Sequence, residues 1–286
     1  MPQNVSLEKL IMLTGDLPPM PKVAKKIMEL VNDPATSAST LQNVISRDQS
    51  LSGHIMKIAN SALYSRSRKI ETLSDAIVML GFNSIKNISI MSSTRNLLKF
   101  TRKGKVVGLK DKLTWEHSVG TAIAGRIIAR RTEKRFAERA FMGGLLHDIG
   151  KMVLLQKVTD VFDSIIEEVY NTGRHFREVE KEKLGFDHAE IGALLVKKWN
   201  LSEELEKAIR LHHDIKPEMK VDTPLVYYID LANRFCHKLG VGFIKEPDLE
   251  IKDEFSAIRL GIPEGEIKAM EKSIMNNIKD EIDLFH

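Results

Sequence analysis

The residues best suited to chemistry in this chain are His147 and Asp148, adjacent within Gly143-Gly144-Leu145-Leu146-His147-Asp148-Ile149-Gly150-Lys151. An imidazole beside a carboxylate offers nitrogen and oxygen donors to one hard or borderline divalent metal. On a helix, successive side chains diverge by about 100°, so a second metal can share the carboxylate. His117 lies earlier on an expected helix, and Asp230 lies on a later one. Ligands converging from several helices are how helical bundles build carboxylate and histidine metal sites. His188 and the His212-His213 pair supply donors enough for a second ion. With no thiolate in the set, iron, manganese, magnesium, zinc, cobalt and nickel are all admissible.

The elements that must position these groups are helical, since apolar residues recur at helical spacing and alternating runs are almost absent. Ser6 is placed to cap a first helix ending near Gly15, and Leu17-Pro18-Pro19-Met20-Pro21 must then be extended. Val23, Ile27, Leu30 and Val31 mark the next helix, Thr40 opens another, and Leu51 to about Tyr64 continues the spacing. Thr72 with Asp75 has the form of a capping box, Gly81 is a stop, and a longer helix follows from about Ser84 to Phe100. Residues 101–112, charged and carrying Gly104 and Gly108, read as a linker. Helices are expected over Leu113–Arg131 and Ala137–Leu146, then near 159–171, 175–184, 188–199, 203–213 and 223–239. Asp187 with Glu190 marks the start that would carry His188. The last 45 or so residues, broken by Pro247, Gly261 and Pro263, read as a few small covering helices. The fold class is therefore all-α, divided into an N-terminal subdomain over 1–100, a metal-binding bundle over 113–240 and an extension over 241–286.

The order His117, His147-Asp148, Asp230 resembles the H…HD…D signature of the HD superfamily of metal-dependent phosphohydrolases. The first hundred residues resemble the HDOD family, a regulatory relative, through Leu17-Pro18-Pro19-Met20-Pro21, Ile58-Ala59-Asn60-Ser61-Ala62 and Asp75-Ala76-Ile77-Val78-Met79-Leu80-Gly81. The resemblance covers roughly residues 10 to 240. It implies a signal-transduction protein with a protein partner. HDOD proteins often lack HD ligands, whereas this chain keeps that set and adds His188, His212 and His213, which resemble the further ligands of the HD-GYP group, hydrolases of cyclic di-GMP. Asp214-Ile215-Lys216-Pro217 stands where that group has Gly-Tyr-Pro. If the site is catalytic, a metal would acidify a water for in-line attack on phosphorus. Asp148 would anchor the metal, and Lys151 would reach a phosphate oxygen or the leaving group. The substrate would be a nucleotide or cyclic dinucleotide.

Composition narrows the remaining classes. The net charge is +4. Arg95, Lys99, Arg102, Lys103, Lys105, Lys110 and Lys112, then Arg126, Arg130, Arg131, Lys134 and Arg135, form a basic run with little aromatic interleaving. A solvated linker and helix face accounts for it better than a nucleic-acid surface. No apolar run reaches the roughly 18 residues of a membrane span, and Met1–Leu10 lacks the pattern of a signal peptide. Cys236 stands alone, which forbids an internal disulfide and fits a reducing cytoplasm. Cys236, and likewise His54, His175, His237 and His286, are read as core or surface residues. The expectation is a regulatory protein with an HD-type site, taken to hold two metal ions. The alternative is an active phosphohydrolase.

Overall fold

Several helix starts in this protein are set by side chains that satisfy the free amides of a first turn. The computed structural model describes residues 17–61, 64, 69–99, 108–219 and 221–282. Pro18, Pro19 and Pro21 keep the chain extended up to α1 (Lys22–Asn32). Ser37 accepts from the Thr40 amide to open α2 (Ala38–Ile45), and Asp48 accepts from Leu51 to open α3 (Gln49–Ala59). Thr72 accepts from Asp75 to open α4 (Leu73–Leu80), which Gly81 closes at a φ of 77° before α5 (Phe82–Lys99). That left-handed angle is one that glycine adopts freely.

The rest of the chain forms α6 (Leu109–Arg131), α7 (Ala137–Leu146), α8 (Ile149–Lys157), α9 (Thr159–Thr172), α10 (Phe176–Leu184) and α11 (His188–Lys198). It continues with α12 (Glu203–Leu211), α13 (Leu225–Lys238), α14 (Phe255–Arg259) and α15 (Glu264–Glu281). No strand occurs among the described residues. The long α6 is the axis, packed by α7, α13 and α15, while α11 lies across α8 and α12. A Cβ on Gly144 would stand 2.5 Å from the Thr121 carbonyl oxygen, so α6 and α7 touch backbone to backbone there. One apolar core runs from Ile27, Leu41 and Ile55 through Ile85 to Ile123, Leu145 and Phe235. Lys198 and Trp199 also tie the N-terminal connector to the bundle, donating to the carbonyls of Leu17 at 2.7 Å and Pro18 at 3.0 Å.

Several boundaries differ from the sequence expectation for local reasons. α6 begins at Leu109 rather than Leu113, because the Asp111 carboxylate accepts from the Gly108 amide at 2.7 Å. α15 is a single 18-residue helix rather than several small ones, since Ile267, Met270, Ile274 and Ile278 form one buried stripe. The expected helix from Ser6 to Gly15, residues 101–107 of the expected linker, Ala62 and His286 lie outside the described residues. No described helix is long and apolar enough to cross a membrane.

Candidate metal centre

Contrary to the expectation that they share a helix, His147 follows the last residue of α7, and Asp148 stands just before α8 with φ −99° and ψ 12°. The pair sits at a joint between two helices, and the joint aims the carboxylate between two clusters of imidazoles. Asp148 Oδ2 lies 3.4 Å from His147 Nε2 and 3.7 Å from His117 Nε2. Asp148 Oδ1 lies 3.1 Å from His188 Nε2 and 3.8 Å from His212 Nε2. His213 Nε2 completes the second cluster, 3.1 Å from His188 Nε2. Within each group, His117–His147–Asp148 and Asp148–His188–His212–His213, the ligand atoms lie within 4.8 Å of one another.

Four helices and two turns position these atoms. α6 presents His117, whose Nδ1 meets the Val241 carbonyl at 2.9 Å on the segment after α13. That segment turns at Gly242, with a φ of 103°, where a Cβ would press to 2.8 Å from His117 Cβ. α11 starts with His188 because Asp187 and Glu190 exchange amide hydrogen bonds in a capping box. A Cβ on Gly150 would meet the His188 carbonyl oxygen at 1.9 Å, so α8 can lie this close to α11 only with glycine there. α12 ends at Leu211, which leaves His212 and His213 in the turn beyond it rather than on the helix.

Each ring is oriented through its second nitrogen. His147 Nδ1 meets the Gly144 carbonyl at 2.7 Å and His212 Nδ1 meets the Ile209 carbonyl at 2.6 Å. A carbonyl can only accept, so Nδ1 carries the proton and Nε2 keeps a lone pair. Burial pushes the pKa of His117, His147 and His213 down, that of His212 to about 3, which keeps these imidazoles neutral. His188 is the exception. Burial pulls it down most strongly of any single cause, but the Glu180 carboxylate, 2.6 Å from its Nδ1, and Asp148 together outweigh burial and hold it at about 9. Burial of Asp148 favours the neutral acid, yet its neighbours His147, Lys151 and His188 hold its carboxyl well below the usual range.

The donors fit a divalent cation. Asp148 Oδ1 and His212 Nε2 are buried with no hydrogen-bond partner. His117 Nε2 and His147 Nε2 face each other at 3.3 Å, two lone pairs converging on one point. Orphaned, buried acceptors of this kind are costly unless a cation or proton lies between them. Six of the seven expected ligands are thus brought together. Asp230 stands apart: its Oδ1 accepts from Arg234 Nε at 3.0 Å and its Oδ2 from Ser256 Oγ at 2.5 Å. Three residues along α13, the buried Asn233 side chain approaches His117 instead, and its Oδ1 has no hydrogen-bond partner.

Sequence reasoning missed Glu180, Asn233 and His237, the last stacked on His117 with ring centroids 5.4 Å apart. The spacing of Asp230, Asn233 and His237 puts them on one helix face, a signal that was available. Glu180 gives none. Lys151 Nζ lies 2.8 Å from Asp148 Oδ2 and 4.4 Å from the Phe176 ring centre. It borders a cleft of about 480 Å³ that His213, Asp230, Asn233, Arg234 and His237 also line.

The HDOD domain model matches residues 17–215. An uncharacterized protein of Treponema pallidum (strain Nichols) is 24% identical over 221 residues, which is 76% of this chain and 42% of that protein. The chain therefore spans less than half the length of that relative. An HDOD domain protein of unknown function from Geobacter sulfurreducens superposes with a TM-score of 0.83 at 24% identity, over 98% of this chain and 96% of that one. A proposed phosphohydrolase from Shewanella amazonensis SB2B superposes with a TM-score of 0.71 at 24% identity, over 97% of each chain. These two likenesses are of fold.

Proposed function

The chain belongs to the HDOD family, and on that footing we propose that it is a regulatory protein whose bundle holds a divalent-metal centre. The observation that carries this reading is the placement of Asp148, one carboxylate oxygen toward each of two imidazole clusters. His117, His147 and Asp148 would hold one ion, and Asp148, His188, His212 and His213 a second. The N-terminal helices would meet a protein partner in a signalling pathway. A single buried cysteine supports a reducing compartment.

A second reading, phosphodiester hydrolysis, is favoured by the cleft beside Lys151 and His213. A bound divalent ion would supply Lewis acidity, lowering the pKa of a water and offsetting charge on phosphoryl oxygens. Lys151 would place its ammonium on a phosphoryl oxygen once that oxygen competes with Asp148. Asn233 would orient the His117 ring, and Phe176 would shield the lysine from water.

Elemental analysis of protein purified without added metal tests the centre. Divalent metal lost in Asp148→Ala is expected; protein that holds none, and takes up none on reconstitution, sinks the reading. Turnover of bis(p-nitrophenyl) phosphate, abolished by His147→Ala with Asp148→Ala, separates an enzyme from a regulator.

A further inference from the structure

A second cleft, of about 600 Å³, lies where the N-terminal helices meet the bundle and contains none of the metal-site histidines. Its size suits a small organic ligand. Three cations line it: Lys86 on α5, Arg135, and Arg139 on α7. One carboxylate, Glu138, shares it and is already engaged, its Oε2 accepting from Arg126 Nη2 at 3.0 Å and from Asn87 Nδ2 at 3.0 Å. Lys86 is half-buried and makes no hydrogen bond or ion pair among the described residues. Burial pushes its pKa down, against the pull of Glu138. Arg139 meets Glu204 at 3.0 Å and Arg135 meets Glu133 at 2.6 Å, with both guanidiniums about half exposed or more.

The cleft therefore has a surplus of positive charge around a lysine that makes no ion pair among the described residues. Beside the cations stand the side-chain amides of Asn32, Asn83 and Asn200, and an apolar floor is made by Ile90, Met142 and Leu205. Asn200 is held at a φ of 55°, the one non-glycine residue with positive φ among those described.

We infer that this cleft binds a phosphomonoester with an uncharged, hydrogen-bonding body. A phosphate carries about −1.5 to −2 charges near neutral pH and three strong acceptors, which suits a cleft lined by Lys86 and two guanidiniums better than a singly charged carboxylate does. Amides both donate and accept, so the asparagines suit a body rich in hydroxyl or ring nitrogen groups. The ligand would bridge α5 and α7, and α7 ends at the metal-site pair. The inference stands apart from the metal reading, since it uses none of its residues.

Isothermal titration of the full chain in EDTA, with AMP, GMP, glucose 6-phosphate and inorganic phosphate as probes and glutamate and citrate as controls, tests it. At least one phosphomonoester should bind saturably, with inorganic phosphate competing. Lys86→Met, which keeps volume and loses charge, should weaken binding by at least about tenfold, while Lys151→Met leaves it unchanged. Arg135→Gln, at an exposed position, should weaken it as well and serves if Lys86→Met fails to fold. Four results would overturn the inference: no phosphomonoester saturating at millimolar concentration, binding untouched in folded Lys86→Met or Arg135→Gln, carboxylates binding as tightly, or loss of binding in Lys151→Met.

Discussion

Arg177 grips Asp214 with both terminal nitrogens, at 2.6 and 2.5 Å, while its Nε reaches the Asp187 carboxylate at 2.8 Å. One guanidinium thereby ties the residue that starts the His188 helix to the residue that follows His213. Asp214 occupies part of the segment that departs from Gly-Tyr-Pro, and here it serves as an anchor for the histidine turn.

Arg177→Met should therefore destabilise the fold and loosen the second imidazole group together. Asp187 is buried and keeps Lys181 and the Glu190 amide as partners. The loss is then about 2 kcal/mol, below the 3 to 5 typical of a fully orphaned buried charge. Urea unfolding measures the stability, and a competition titration against a chelating dye measures the metal. Unchanged metal affinity in the folded variant would refute the anchoring role.

Asp148→Ala should abolish metal uptake at both groups, whereas His213→Ala should lower the bound metal by about one ion per chain and spare the His117–His147 group. Metal content per folded chain distinguishes the two. Equal loss in both variants would mean that the carboxylate does not join two independent groups.

Glu180→Gln removes the charge that orients and polarises His188. Such outer partners typically cost 10- to 100-fold in metal affinity when changed, and a fall of about tenfold is expected, read by titration at fixed pH. An affinity equal to that of the parent would show that Glu180 is structural only.

Gly150→Ala should cost several kcal/mol, above the ~1 to 3 of ordinary overpacking, because the clash is with the His188 backbone and not with a movable side chain. Thermal unfolding of the variant checks it. Gly53→Ala, where a Cβ would meet nothing within 4 Å, is the control and should unfold near the parent temperature.

Cys236 is buried and its pKa is pushed up to about 12 by burial, with the Thr121 hydroxyl opposing. The thiolate is the reactive form, so at pH 8 about one chain in ten thousand carries it. Iodoacetamide should leave the native protein unmodified at pH 8 and label it fully in denaturant, as mass spectrometry would show.

Much of this architecture is written in local chemistry. Thr72, Asp187 and Gly81 are found at the helix ends that their side chains or backbone freedom call for, and the His147-Asp148 pair identifies the site. What escapes sequence reading depends on long-range approach. The break between α7 and α8 falls inside a run with no proline, so nothing local announces that His147 and Asp148 stand in the turn between two helices. Glu180 matters because α10 lies beside the start of α11, and Asp230 is turned aside by Ser256, 26 residues away. Neither fact has a periodic signature.

His117 is oriented by the carbonyl of Val241, more than a hundred residues downstream. A ribosome adding roughly 5 to 20 residues per second must therefore release that carbonyl before the first imidazole can settle. Truncated nascent chains ending before Val241 would emerge with the other donors present but this ring unsecured. Loading of the first group is accordingly a late event in synthesis, and no short excised peptide would reproduce it.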